Sequence, residues 1–270
     1  MPHRRRHLPV SIAAATVVAL AGCGRGGSGN EAASVNNAAP APAPSAAATE
    51  YDVVRAMLNL ADVKPDDLVM DLGSGDGRIP ILAAKEKGAR GVGVELDRQL
   101  IRQANANATR EGVGTRVEFH QQDLFVTPLN SVTVLTLYLL PEINLQLRPK
   151  ILNQMRAGTR VVSNSFDMGD WRADSTRQVG GTTIYMWTVP AQVTGRWSFQ
   201  VEGGGSGTLT FAQKYQDVSG TADLGAGERP IGNARLDGGT IRFEVDGRQF
   251  QGRVDGSTIE GQGWRAAKSG

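Results

Sequence analysis

The 270-residue sequence predicts an α/β domain built on a doubly wound, mostly parallel sheet, followed by a small all-β antiparallel meander or barrel. Two observations predict it. From residue 51 to about 165, short apolar runs alternate with amphipathic helical patterns, the signature of parallel crossovers and of a sheet covered on both faces. Beyond Pro190 the helical period stops: residues 191–270 hold 17 of the 34 glycines, and Asp-Gly pairs begin at 237, 246 and 255.

The elements follow in order. Val53, Val54, Met57, Leu58 and Ala61 share one helical face. Residues 68–70 read as a short buried strand that runs into the turn DLGSGDGRI. A helix over about 78–87 stops at Gly88, with Pro80 tolerated in its first turn. A strand over 91–96 leads to Asp97, which can cap a helix ending near Gly112. Strands at 116–120 and 132–139, a helix over 141–156 bent or interrupted at Pro149, and a strand at 159–165 continue the alternation. Segments 172–179 and 182–189, joined by Gly180-Gly181, form a hairpin that closes the sheet. In the last 80 residues, Trp197, Phe199 and Val201 alternate, as do Ile241, Phe243 and Val245, so Asp-Gly hairpins with Trp197 and Trp264 in the core are expected.

The N-terminus has its own logic. Arg4–Arg6 precede an uncharged, mostly apolar run from Leu8 to Ala21, too short for a comfortable membrane span, which ends Leu-Ala-Gly-Cys at 20–23. This is similar to the lipobox of bacterial lipoproteins, which implies a signal peptide over 1–22 and lipid on Cys23. Residues 23–50, rich in Ala, Pro and Gly, read as a disordered tether. The α/β domain then spans 51–190 and the β domain 191–270. Cys23 is the one cysteine, which excludes an internal disulfide and a multi-cysteine metal site. The chain carries 29 basic and 27 acidic residues; without Arg4–Arg6 the balance is near −1, so no nucleic-acid partner is expected.

The glycine turn carries the chemistry. A dinucleotide fingerprint needs G-x-G-x-x-G, but Gly73, Gly75 and Gly77 are spaced one residue tighter, and Asp76 stands where phosphates would lie. An acidic turn suits a nucleoside with a cationic centre, as in S-adenosylmethionine. Glu95 ends the second strand, where a carboxylate can accept both ribose hydroxyls. Asp123, in QQDLF, follows the third, where it can meet the exocyclic amine of adenine, with Leu124 and Phe125 beside the ring.

DLGSGDGRI, GVGVELD and QQDLF together resemble the class I S-adenosylmethionine-dependent methyltransferases over roughly 51–189, in the form seen in the branch of seven-strand protein-lysine methyltransferases. The resemblance implies that Asp71, Gly73, Ser74, Gly75, Asp76 and Gly77 line the cofactor's methionine end, Glu95 the ribose, and Asp123 and Leu124 the adenine, with Tyr51 in a covering segment. It places the acceptor at the end of the fourth strand, in YLLPE, where Tyr138 and Glu142 are the candidate catalytic residues. N-P-P-Y, the motif of amide methylation, is absent there. A protein lysine or a small molecule is the expected acceptor.

Other residues lead less far. His120, the one histidine outside the leader, reads as structural, and Asn164, Phe166 and Asp167 as a loop near the pocket. Export conflicts with a cofactor made in the cytoplasm. The expected location is the cell envelope, lipid-anchored and facing the periplasm, or the cytoplasm if the leader is retained. The competing expectations are a non-catalytic envelope binding protein and, third, a nicotinamide-dependent reductase.

Overall fold

The structure, a computed structural model, describes residues 50–269. The leader, Cys23 and the tether up to residue 49 lie outside them. Helix α1 (Tyr51–Leu60) buries the face the period predicted, setting Val54, Met57 and Leu58 against the sheet. Strand β1 (Leu68–Leu72) then enters the glycine turn, and α2 (Arg78–Lys87) ends at Gly88 in the left-handed region. Strand β2 (Arg90–Glu95), helix α3 (Arg98–Arg110) and strand β3 (Val117–Gln121) complete the first half. The Asp97 carboxylate caps α3, accepting from the backbone N–H groups of Gln99 at 2.6 Å and Leu100 at 3.4 Å.

The second half holds β4 (Val134–Leu137), α4 (Pro141–Gln154), β5 (Arg160–Asn164), β6 (Ser175–Val179) and β7 (Thr182–Thr188). The seven strands form one sheet in the order β3-β2-β1-β4-β5-β7-β6, with β1 to β5 parallel and β7 antiparallel to its neighbours. This puts the C-terminal ends of β1–β5 along one edge, with the order reversing between β1 and β4.

Two expectations need correction. Strand β4 is four residues long rather than eight, so Tyr138 has already left the sheet. Helix α4 is not interrupted at Pro149. Both faces of the sheet are covered, as expected, though by different means. One face carries α1, α2 and α3, while the other has α4 alone among helices; segments 122–133 and 165–174 cross it without helix, filling the layer with Leu129, Val132, Met168 and Trp171.

The C-terminal strands are β8 (Gly195–Val201), β9 (Ser206–Lys214), β10 (Asp217–Asp223), β11 (Glu228–Pro230), β12 (Gly232–Asp237), β13 (Thr240–Val245), β14 (Arg248–Asp255), β15 (Thr258–Gly261) and β16 (Trp264–Lys268). They form an up-and-down meander that closes where β16 pairs with β8, giving an eight-strand barrel with the short β11 attached to β10. Closure leaves no open edge among the eight. Trp197, Phe199, Phe211, Phe243, Phe250 and Trp264 fill the interior, with Trp264 edge-on to Phe243 at 5.6 Å. The Asp-Gly turns form as expected. Asp246 and Gly247, both at positive φ, make a two-residue hairpin loop, whereas Asp237 and Asp255 stay paired and the glycine after each opens the loop. No helix among the described residues is long and apolar enough to cross a membrane.

Candidate functional site

The site is built where β1 stops. The turn from Gly73 to Gly77 bends through three glycines at φ +79, +53 and +80. It is pinned to the neighbouring strand: the N–H groups of Gly73 and Ser74 both donate to the Val94 carbonyl, at 2.8 and 2.9 Å. The glycines serve different ends. A Cβ on Gly77 would stand 2.5 Å from the Phe119 ring, and one on Gly93 would stand 2.4 Å from it, so these two permit close packing. A Cβ on Gly75 would meet nothing within 4 Å. The bare backbone at Gly75 therefore faces open space.

Carboxylates bound that space. The N–H of Gly75 donates to Glu95 Oε2 at 3.1 Å, and Glu95 Oε1 accepts from the N–H groups of Leu96 and Asp97 at 2.8 and 3.1 Å. The carboxylate is thus fixed by backbone donors on both sides of the groove, rather than swinging in solvent. Below it, Asp71 is buried. Burial pushes its pKa up to about 7; the Thr136 hydroxyl, donating to Oδ1 at 2.7 Å, opposes the rise, while the charges of Glu95 and Asp76 add to it. A buried carboxylate poised near neutrality becomes fully ionised when a cation arrives beside it.

Asp76 has a partner within its own turn. Its carboxylate turns to Arg78, whose Nη2 and Nε donate at 2.7 and 2.9 Å, and that contact holds its pKa below the ordinary range. The same guanidinium lies 5.6 Å from the centre of the Tyr51 ring. Asp76 therefore neutralises a base and anchors the start of α1, and its charge is shared with Arg78 instead of being offered alone to a ligand. The negative field of the groove comes from Glu95 and Asp123, with Asp71 and the partly neutralised Asp76 beneath.

Asp123 is brought beside Glu95 because the Gln122 N–H donates to the Glu95 carbonyl at 3.1 Å. Its Oδ1 accepts from the Phe125 N–H at 2.8 Å, closing a small Asx turn. Lys150 of α4 donates to the Phe125 carbonyl at 2.6 Å and pins this segment. Leu124 is half-buried against the core, leaving Phe125 and Val126 as the exposed apolar surface. Leu96, Leu140 and Tyr51 add exposed apolar side chains along the same edge.

Tyr138 follows β4 and is half-buried; Glu142 is exposed in the first turn of α4. Among the described residues neither side chain is held by a hydrogen bond. Leu139, between them, reaches over Gly73. Sequence reasoning missed Thr136, the partner of Asp71. It also missed Asn144, fully buried in the first turn of α4, which donates to Ser163 Oγ and to the carbonyls of Phe166 and Asp167 at 3.2–3.4 Å. A polar residue on the buried side of a helix was the only signal. Among the described residues Ser74 Oγ is buried without a hydrogen-bond partner, close against Gly93 of β2. Open space above a glycine and the carboxylates around it fit a cationic nucleoside better than a diphosphate.

Comparison with known proteins agrees. Residues 71–175 match the ANTKMT methyltransferase domain family. The chain is 38% identical over 146 residues to a protein-lysine N-methyltransferase of Saccharolobus islandicus, a match that spans 52% of this chain and 91% of that protein. It is 34% identical over 143 residues to the adenine nucleotide translocase lysine N-methyltransferase of Mus musculus, covering 53% of this chain and only 61% of that one. A solved structure of an RNA methyltransferase from Salinibacter ruber, in complex with S-adenosyl-L-homocysteine, is 51% identical and superposes with a TM-score of 0.53 over 54% of this chain and 95% of its own.

Proposed function

The chain belongs to the class I S-adenosylmethionine-dependent methyltransferases, close to the protein-lysine methyltransferases of the ANTKMT type, and from that membership we propose that it methylates the ε-amine of a protein lysine. The observation that carries the acceptor is the 38% identity to a protein-lysine N-methyltransferase across nearly that protein's whole length. The names of the relatives lend no support to a non-catalytic role.

When bound, S-adenosylmethionine supplies a methyl group already attached to a good leaving group. The chain's task is to hold, align and exclude water. Glu95, with three of its lone-pair sites taken by N–H groups, would accept a ribose hydroxyl on the free site of Oε2. Asp123 would accept from the adenine amine, and Phe125 beside it would offer apolar surface to the base. Asp71 would supply negative charge near the methionine end, where the turn leaves room above Gly75. An incoming lysine must be neutral to act as a nucleophile. Tyr138 and Glu142, at the end of β4 and the start of α4, are the groups that orient the amine and accept its proton.

Two measurements test this. Calorimetry with S-adenosylmethionine should give a defined binding heat that Glu95→Ala weakens by about tenfold or more, the worth of charge-assisted hydrogen bonds. Transfer of tritiated methyl to poly-L-lysine should follow. Label that enters RNA and never protein would overturn the lysine assignment in favour of the activity named for the Salinibacter structure. The sequence at 20–23 supports export and lipid attachment at Cys23, and the mass of the mature N-terminus decides that. A chain that still begins at Met1 would place the enzyme in the cytoplasm, beside its cofactor supply.

A further inference from the structure

Segment 165–174 has no helix, yet it sits firmly. Five of its carbonyls, those of Phe166, Asp167, Met168, Trp171 and Arg172, accept from side chains of other elements. Asn144 of α4 donates to Phe166 and Asp167, and Arg148 of α4 to Met168 at 2.6 Å. The Arg172 carbonyl accepts from Gln216 at 2.7 Å. Gln216 belongs to the barrel, in the turn between β9 and β10, and is buried. Its neighbour Tyr215 stacks on Trp171 with ring centres 5.9 Å apart and donates its hydroxyl to Asp170 at 2.9 Å. Arg148 donates to the same carboxylate at 2.6 Å and Lys214 stands 3.1 Å from it. Strand β7 holds the two ends of the segment, the Ser165 and Asp174 N–H groups donating to Thr183 and Met186 at 2.8 Å, and one barrel turn grips its middle together with α4.

The place of that loop gives the grip a consequence. It leaves β5 at Asn164, and β5 pairs directly with β4, Leu137 opposite Ser163. The loop thus begins one strand from Tyr138. Through Asn144 it is tied to the helix turn that carries Glu142. The cofactor groups lie on the other side, at the ends of β1, β2 and β3. We propose that segment 165–174 forms the acceptor-facing wall of the cleft, and that Tyr215 and Gln216 are positioning residues for it, so that the barrel governs how the methyl acceptor is held while cofactor binding is left to the sheet. This rests on the methyltransferase assignment of the same cleft. The barrel adds rigidity where β7 and α4 do not reach, at the Arg172 carbonyl.

The test uses the full protein and two conservative variants. Tyr215→Phe keeps the ring on Trp171 and removes the bond to Asp170; Gln216→Met keeps the buried volume and removes the bond to the Arg172 carbonyl. With poly-L-lysine as acceptor, each should raise acceptor KM by roughly fivefold, the scale of one lost hydrogen bond, with S-adenosylmethionine affinity unchanged in calorimetry. Amide exchange should quicken in 165–174 and stay constant in the 71–77 turn. Unchanged acceptor KM in both folded variants would overturn the proposal, as would parallel loss of cofactor affinity. If the wild type binds the cofactor but methylates no lysine, the lysine assignment fails, and exchange alone then decides the brace: unchanged exchange in 165–174 overturns it.

Discussion

At Gly75 and Gly77 the same left-handed backbone has two different consequences. Alanine at either must adopt a positive φ, at a cost of about 1–2 kcal/mol. At Gly75 the added methyl meets no protein atom, so the variant should fold and melt within a few degrees of wild type, yet bind S-adenosylmethionine at least tenfold more weakly. At Gly77 the methyl would strike Phe119 and Ala104, so Gly77→Ala should lower the melting midpoint clearly, by roughly 5 °C or more. Parallel thermal melts and calorimetry separate the two. Asp71 adds a pH signature. Its folded-state pKa of about 7 lies above the ordinary 3.8, so the neutral acid favours the fold. That contribution is fully present below the unfolded value and is lost as pH rises through about 7. Cofactor binding runs the other way, because the cation needs the carboxylate. Affinity should fall as pH drops below 7, by up to about tenfold per unit. Asp71→Asn should flatten that profile, weaken binding at pH 8, and raise the melting midpoint of the ligand-free protein there, by about 3 °C. The motif residues were legible in the sequence because turn chemistry is local. The pairing of Asp76 with Arg78 was not inferred, because two side chains close in sequence can each turn to many partners and only the folded turn selects one.

Helix α4 shows what periodicity reads and what it misses. Its start at Pro141 was legible from proline's preference for the first turn. Its reach past Pro149 was legible too; that the proline does not interrupt it was not, because contacts of Leu147 and Ile151 with the sheet outweigh the missing N–H. Pro149 is exposed, so Pro149→Ala should restore that hydrogen bond and stabilise the protein by about 1–3 kcal/mol, read from denaturant unfolding; a loss of stability would show that the proline sets a needed bend. Strand β4 illustrates the opposite error. The apolar run 132–139 is longer than the strand because Val132 and Leu139 serve other surfaces, one in the core beside Leu129 and one over Gly73. Apolar character records burial, and burial comes from loops as well as strands.

Across the whole molecule, the two sheets differ in self-sufficiency. The barrel closes on its own aromatic core, and the Ala191 carbonyl and the Val193 backbone at its entrance are held by Gln213 and Trp197 of its own strands. The parallel sheet, by contrast, completes its second face with Trp171 against Tyr215. Residues 190–270 alone should therefore fold cooperatively, with the near-ultraviolet signal of packed Trp197 and Trp264. A chain ending at Val189 should melt lower than the full protein and bind hydrophobic dyes. Equal stability of that shortened chain would show that the barrel is a passive appendage. The sequence by itself determined the parallel α/β order, the glycine turn with Glu95 and Asp123 after it, and the Asp-Gly hairpins, since each depends on periods and turn preferences within a few neighbouring residues. Only the tertiary structure decided that the meander closes and that its Tyr215–Gln216 turn seats segment 165–174. Gln216 reaches a carbonyl 44 residues away, and no local preference encodes which surface so distant a side chain will meet.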